Sequence, residues 1–292
     1  MDIWTLILPL VRVSFYTGML LVNGSILYGL LLGAHMTAGS KAHLAGLVRA
    51  GALVGLAAVA VQIPASAGYL GGDVASAFDP LYMRLMLETT LGWSSLLAAA
   101  GFIMAVWLPR LAVKYHIPTG GLICLLIASA FAVHGHATTG GMVTRLLLVI
   151  HLACVAVWLG AFLPLHRLCR LATDDPVALL ELAQTGRRFA QVGSITVALL
   201  LVSGGILAVF LTGSVTAMVA TDYGLALSGK VILVSGLLGL AALNRYRLVP
   251  AVDRGERAAA ARLGLSVRLE MLGALAIILV TSLLTTSLAL PM

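Results

Sequence analysis

Long apolar runs, separated by short charged segments, dominate this 292-residue sequence. Apolar residues make up 61% of the chain and charged residues 10%, whereas a soluble domain carries about a quarter charged residues. Each run is close to the roughly 20 residues that a helix needs to cross the hydrocarbon core. The predicted spans are 5–33, 47–70, 84–108, 119–137, 143–164, 189–212, 224–244 and 267–290. Long runs of Leu, Ala, Val and Gly favour helices over barrel strands, so the chain is predicted to be all-α and polytopic, with about eight transmembrane helices in one bundle.

The whole chain, residues 1–292, is expected to form a single transmembrane domain, because no linker is long enough to join a separate soluble unit. The first apolar run has little basic character before it and no distinct small-residue cleavage site. It is therefore interpreted as a retained helix rather than a signal peptide.

The distribution of basic residues predicts the orientation. One set of loops carries nearly all the Lys and Arg, whereas the opposite loops, around 71–83, 138–142 and 213–223, carry Asp residues instead. The positive-inside rule then places the basic loops in the cytoplasm and both termini in the periplasm of a bacterial inner membrane. The net charge of +7 is thus mainly a topology signal that also attracts anionic membrane lipid. It gives no reason to expect nucleic-acid binding.

One segment, residues 131–160, reads FAVHGHATTGGMVTRLLLVIHLACVAVWLG and carries several polar side chains. His134 and His136 end the fourth apolar run, a Thr-Thr-Gly-Gly turn follows, and His151 lies inside the fifth run. This pattern predicts a tight helical hairpin that brings imidazoles from two neighbouring helices together. Ionisable side chains at membrane depth are costly and mark functional sites. The three histidines are therefore the predicted metal ligands.

The geometry of the hairpin permits convergence on one ion. His134 would lie about 6 Å and His151 about 12 Å below the outer ends of their helices, and adjacent helix axes are about 8–10 Å apart. His134 and His136 cannot both point inward from a regular helix, because residues two apart face different sides. Either the helix unwinds at Gly135, or only one of the two is an inner ligand.

Softer donors accompany the histidines on the outer side. Met83 and Met86 flank the start of the third predicted span, Met142 lies in the hairpin turn, and Cys154 shares a helix face with His151. Thioether and thiolate ligands select Cu(I), and imidazole suits copper, zinc and iron. Copper, as Cu(I) or Cu(II), is therefore the predicted ion, with these four residues as accessory ligands. Each of them is also an ordinary packing residue.

Other side chains are expected to line or support the site. Trp158 lies on the same face of the fifth span as His151. Glu88, Lys230 and Arg12 fall within predicted spans, where a charge facing lipid would be expensive, so they are predicted to pair inside the bundle. Glu88 is also an accessory candidate for attracting a cation.

The order of short motifs resembles the CopD/PcoD copper-resistance D family of bacterial inner-membrane proteins. The motif residues are His134-Gly135-His136-Ala137, His151 with Trp158 and Gly160, Arg188-Phe189, Tyr223-Gly224 with Lys230, and Asn244-Arg245. The similarity is clearest over residues 134–247. It implies a role in copper movement across the inner membrane, with a periplasmic copper-binding partner of the CopC type. Cys154 stands where a small apolar residue is expected, so no family role is carried onto it.

The sequence gives no sign of an enzyme, since it has neither a phosphate-binding Gly-Lys-Ser/Thr loop nor the aspartyl-phosphate motif of a pumping ATPase. The primary hypothesis is copper import or transfer. One alternative is a membrane b-type haem protein with His134 or His136 and His151 as axial ligands. The short turn between the two helices leaves little room for a haem. A second alternative is a membrane scaffold for a periplasmic copper chaperone.

Overall fold

The computed structural model describes residues 3–135, 140–214 and 216–288, and the regular elements in these ranges are helical. The α-helices are α1 (Trp4–Leu32), α2 (Ala38–Gly71), α3 (Pro80–Leu87), α4 (Thr90–Trp107), α5 (His116–Val133), α6 (Gly141–Leu159), α7 (Phe162–Leu171), α8 (Pro176–Thr212), α9 (Ala217–Ala220), α10 (Asp222–Leu243), α11 (Val249–Asp253) and α12 (Arg257–Thr286). Within the described ranges, eight helical segments are long and apolar enough to cross a membrane. The predicted all-α, eight-span architecture is confirmed.

The connections divide into two ends. The turns at 33–37, 108–115, 172–175 and 254–256 lie at one end, here called the basic end, because most Lys and Arg lie in or beside them. The connection at 72–89 and the described parts of those at 134–140 and 213–221 lie at the opposite end. Eight helical spans within the described residues, which cross the bundle in alternating directions, account for this arrangement.

Local sequence signals fix where several helices begin and end. Asp175 accepts a hydrogen bond from the Val177 N–H and precedes Pro176, a residue that fits the first turn of α8. Gly213 ends the same helix with φ +68°, a left-handed conformation that costs glycine little. Thr221 caps α10 by accepting a hydrogen bond from the Gly224 N–H at 3.0 Å. These signals extend the sixth and seventh spans beyond their apolar cores.

The third span begins later than predicted. Residues 84–89 do not belong to it, because Asp79 and Pro80 start the separate short helix α3, and Thr89 then caps α4. Hydropathy alone joined α3 to α4, since α3 is rich in Leu and Met. The break places Glu88 outside the membrane-spanning helix.

Two apolar clusters form the core, and α1 and α6 contribute to both. The first cluster joins these helices to α2, α4 and α5, and at its centre Phe15 stacks on Phe131 at a centroid distance of 4.6 Å. The second joins them to α7, α8, α10, α11 and α12, with Trp158 and Leu182 among its buried members. Helices α1 and α6 therefore lie between the two halves of the bundle.

Small residues allow α1 and the α6–α7 joint to touch. A Cβ atom added to Gly24 would lie 2.5 Å from the Cα of Gly160, closer than side-chain atoms tolerate. Close approach through glycine is a common way for membrane helices to associate. The contact fixes the position of α6, and thereby of the histidine that α6 carries.

Candidate functional site

The end of α5 provides the first predicted ligand. The helix stops at Val133, His134 adopts an extended conformation, and Gly135 has φ +100°, so the regular helix ends before Gly135, which is one of the two alternatives left open by the sequence. The Nδ1 of His134 lies 2.9 Å from the Thr90 hydroxyl at the start of α4. The ring is therefore held at the end of the bundle opposite the basic loops. His136 lies outside the described residues.

The second predicted ligand, His151, lies ten residues into α6 and is partly buried. Its Nδ1 is 3.3 Å from the Ser203 hydroxyl on α8. Gly204 leaves room for the ring, because a Cβ there would lie only 3.0 Å from the His151 Cε1. The imidazole is thus packed between α6 and α8, at a depth of about 15 Å along α6.

The hydrogen bonds around Ser203 favour one tautomer of His151. Ser203 has a single hydroxyl hydrogen and donates it to the Leu199 carbonyl at 2.7 Å. Its oxygen is then left to accept from the Nδ1–H of the imidazole. Protonation at Nδ1 leaves the lone pair on Nε2. This is the arrangement in which proteins usually present histidine to a metal.

The two faces of α6 determine where His151 points. Leu152 and Ala156 belong to the cluster formed with α1 and α5, whereas Cys154 and Trp158 belong to the cluster formed with α8 and α12. His151 interacts with α8, and His134 with α4, so the two rings have different neighbours. Among the residues that the structure describes, no group of three or more His, Cys, Asp and Glu is placed to hold a metal ion. A shared ion between these histidines stays a prediction.

The soft donors lie where the sequence suggested, at the end opposite the basic loops. Met83 and Met86 are partly buried on α3, and Met142 is 68% exposed at the first turn of α6. Cys154 is buried with a free thiol, one turn from His151. The three methionines therefore lie at this end of the bundle rather than in its interior.

The prediction that Glu88 is a buried intramembrane charge is wrong. Glu88 follows α3, its side chain is 59% exposed, and it pairs with Arg84 at 2.8 Å. A carboxylate that remains in water needs no partner within the bundle. Lys230 is partly buried two turns into α10 and interacts electrostatically with His151.

Two family models match the chain. The one described as "Copper resistance protein D-like, N-terminal domain" matches residues 1–146, and the one described as "Copper resistance protein D" matches residues 183–284. Copper resistance protein D of Pseudomonas syringae pv. tomato is 30% identical over 290 residues, which cover 92% of each chain. Inner membrane protein YebZ of Escherichia coli (strain K12) is 29% identical over 289 residues, which cover 94% of this chain and 96% of that protein. No solved structure matches the chain.

The chain belongs to the copper resistance protein D family. This confirms the resemblance seen in the motifs, and the relationship extends over nearly the whole length. It supports a role in copper handling for a multi-pass membrane protein.

One polar pair near the basic end of the protein was not predicted from the sequence. Glu270 on α12 is 3% exposed, and one of its carboxylate oxygens accepts a hydrogen bond from the Asn244 side-chain amide at 3.1 Å. Asn244 begins a five-residue π-helical segment, Asn244–Leu248, that continues α10 into α11. A lone glutamate inside the last apolar run was the signal that could have identified the pair. Trp158 was predicted to line the histidine site. It lines a cavity whose wall also includes Glu270 and Asn244.

Proposed function

We propose that this copper resistance protein D family member moves copper across the bacterial inner membrane, with His151 as a ligand inside the bundle. The observation that carries the proposal is the position of His151 between α6 and α8, with Ser203 bound to its Nδ1. This leaves Nε2 to bind an ion. Neutral imidazole is a good ligand for copper in either oxidation state.

The ion would enter at the end that carries the methionines. In the proposed orientation this end faces the periplasm, and the basic end faces the cytoplasm. Met83, Met86 and Met142 offer thioether donors there, and His134 offers an imidazole beside Thr90. His136, outside the described residues, is assigned to the same entrance. A soluble periplasmic copper-binding protein of the CopC type would supply the ion.

From the entrance, copper would pass inward to His151, with Cys154 one turn further along the same helix. The positive charge of Lys230 opposes a cation at His151, which suits a ligand that holds copper briefly. Release would follow on the cytoplasmic side. The protein is proposed to act as a transporter rather than an enzyme, and copper is its substrate.

The test is copper uptake into cells or proteoliposomes by His151→Ala, beside His116→Ala as the matched control. His116 is a half-buried histidine at the basic end, and its Nε2 lies 3.0 Å from the Leu111 carbonyl. We expect uptake to fall at least tenfold for His151→Ala and to stay at the wild-type rate for His116→Ala. Equal uptake by both variants would overturn the proposal. Retained copper binding without any uptake by the wild type would instead favour the scaffold alternative.

A further inference from the structure

A cavity of about 390 Å³ lies in the basic half of the bundle, between α7, α8, α12 and the end of α10. Its walls are largely apolar and include Trp158 and Phe189. Ser194 and Tyr246, both exposed, line its mouth between α8 and the π-helical segment. The cavity therefore opens sideways between α8 and the π-helical segment, in the half of the bundle that faces the cytoplasm in the proposed orientation.

Glu270 and Asn244 line the wall formed by α12 and the π-helical segment, and both are buried. The Asn244 Nδ2 donates a hydrogen bond to Glu270, whereas its Oδ1 is buried with no hydrogen-bond partner in the described structure. An unpartnered buried acceptor is costly. The Asn244 Oδ1 is therefore available to accept a hydrogen bond.

No charged side chain is bound to Glu270 within the described residues. Arg245 lines the same cavity, but its guanidinium is hydrogen-bonded to the Ala190 carbonyl and the Ser194 hydroxyl on α8. Tyr246 lies at the mouth and is 73% exposed. The carboxylate is left with a neutral amide as its hydrogen-bond partner.

The helices packed against α12 from the other sides bring few titratable groups. Tyr28 on α1 interacts with Glu181 and Cys169, and His166 on α7 interacts with the backbone of Gly264. Neither acts on the Glu270 carboxylate, for which Asn244 is the polar neighbour. Among the described residues, no neighbouring charge sets the state of Glu270. Its charge is determined by whether the carboxylate itself binds a proton.

We propose that Glu270 is a proton-binding site that exchanges protons with cytoplasmic water through this cavity. A hydronium ion gives its proton to a carboxylate oxygen, an O–H bond forms, and water is released. The carboxylic acid then needs an acceptor for its new hydrogen. A half-turn of the Asn244 amide presents Oδ1 to that hydrogen, because the amide carries a donor and an acceptor at one end. Asn244 can therefore hydrogen-bond to the Glu270 carboxyl group in both of its protonation states.

Proton exchange at this site would couple copper movement to the cytoplasmic pH, and this part rests on the proposed copper transport. Carboxylates buried in membrane proteins serve as proton relays in pumps and transporters. The chain has no sequence motif for coupling to ATP, which leaves passive movement, transfer from a carrier protein or an ion gradient, and a proton site fits the last of these.

The direct test is infrared spectroscopy of the purified full chain during a pH titration, in light and heavy water. The C=O stretch of a buried carboxylic acid should appear and disappear with pH in the wild type. It should be lost in Glu270→Gln and retained in Glu181→Gln. Glu181 is the matched control, because it is 4% exposed but accepts a hydrogen bond from the Thr37 N–H elsewhere in the bundle. An unchanged acid band in Glu270→Gln would overturn the proposal.

A second variant keeps the carboxyl group. Asn244→Leu removes both the donor and the acceptor, so the acid band should shift in frequency; an unshifted band would contradict the role given to Asn244.

In proteoliposomes, copper uptake by the wild type should respond to a pH gradient, and uptake by Glu270→Gln should not. A titrating acid band in a wild type that moves no copper would refute the proposed transport while leaving the proton site intact.

Discussion

Ser203→Ala tests whether the α6–α8 contact prepares His151 for metal binding. The substitution removes the hydroxyl that lies 3.3 Å from the imidazole Nδ1 and changes nothing else in side-chain shape. Ser203 is 2% exposed and also bonds to its own helix through the Leu199 carbonyl. Loss of that local bond has little consequence, since the backbone bonds of α8 remain.

The expected magnitude follows from one hydrogen bond. A hydrogen bond of this kind contributes about 1–1.5 kcal/mol, and about 1.4 kcal/mol corresponds to a factor of ten in affinity. The Leu200 carbonyl also interacts with the imidazole and can keep the ring oriented in part. Removal of the partner that orients a metal-binding histidine typically costs 10–100-fold. We therefore expect the copper affinity to fall about tenfold, at the low end of this range.

The assay is a competition between the detergent-purified protein and a copper chelator of known affinity. Ser282→Ala is the matched control, because Ser282 is 1% exposed, bonds to the Leu279 carbonyl of its own helix, and lies on α12. An affinity for Ser203→Ala within twofold of the wild type would refute the positioning role. An equal loss in both variants would indicate general destabilisation instead.

Three further predictions concern the scaffold. Gly24→Ala should destabilise the protein by about 1–3 kcal/mol, measured as a lower Tm in detergent, because its Cβ would meet the backbone of the α6–α7 joint at 2.5 Å, whereas Gly46→Ala, with open space around it, should not. The N–H groups of the turn after Asp73 lower the pKa of that exposed carboxyl, so its support of the turn is present at neutral pH and lost as the pH falls through the lowered value. Asp73→Asn should therefore speed amide exchange in the turn at pH 7, and the difference from the wild type should shrink as the pH falls through that value. Breaking the exposed pair with Glu88 through Arg84→Ala should change the free energy of unfolding by less than about 1 kcal/mol, and a larger change in a denaturation curve would contradict its assignment as a surface pair.

Hydropathy was sufficient to predict the fold class, because each span is a long apolar helix. It was less reliable where apolar residues continue past a helix end. Residues 81–87 are nearly as apolar as a span, yet Asp79 and Thr89 cap two separate helices around them. Glu88 was wrongly placed inside the third span for the same reason. Capping side chains, rather than hydropathy, carry the information about such breaks.

The candidate site was predictable as residue types but not as contacts. His151 stands out as a polar residue in an apolar run, but both faces of α6 are apolar enough to be buried. Which face meets α5 and which meets α8 depends on packing through contacts such as Gly24 with Gly160, far apart in sequence. The sequence offered the end of the regular helix near Gly135 only as one of two alternatives, because two histidines two residues apart cannot both point inward from a regular helix.

The Glu270–Asn244 pair could not be found from spacing, because its members are 26 residues apart and meet through a π-helical segment. A π-helical turn changes which side chains face inward, and the sequence 244–248 carries no simple signal for it. Only the isolated carboxylate in the last span pointed to this region.

The central claim is that His151 binds copper inside the bundle. The most direct measurement is elemental analysis, with a visible spectrum, of the purified wild type and His151→Ala after exposure to copper. We predict copper bound by the wild type, a loss of at least one bound copper in the variant, and no Soret band. Equal copper in both proteins would contradict the claim, and a Soret band with stoichiometric iron would replace it with the haem alternative.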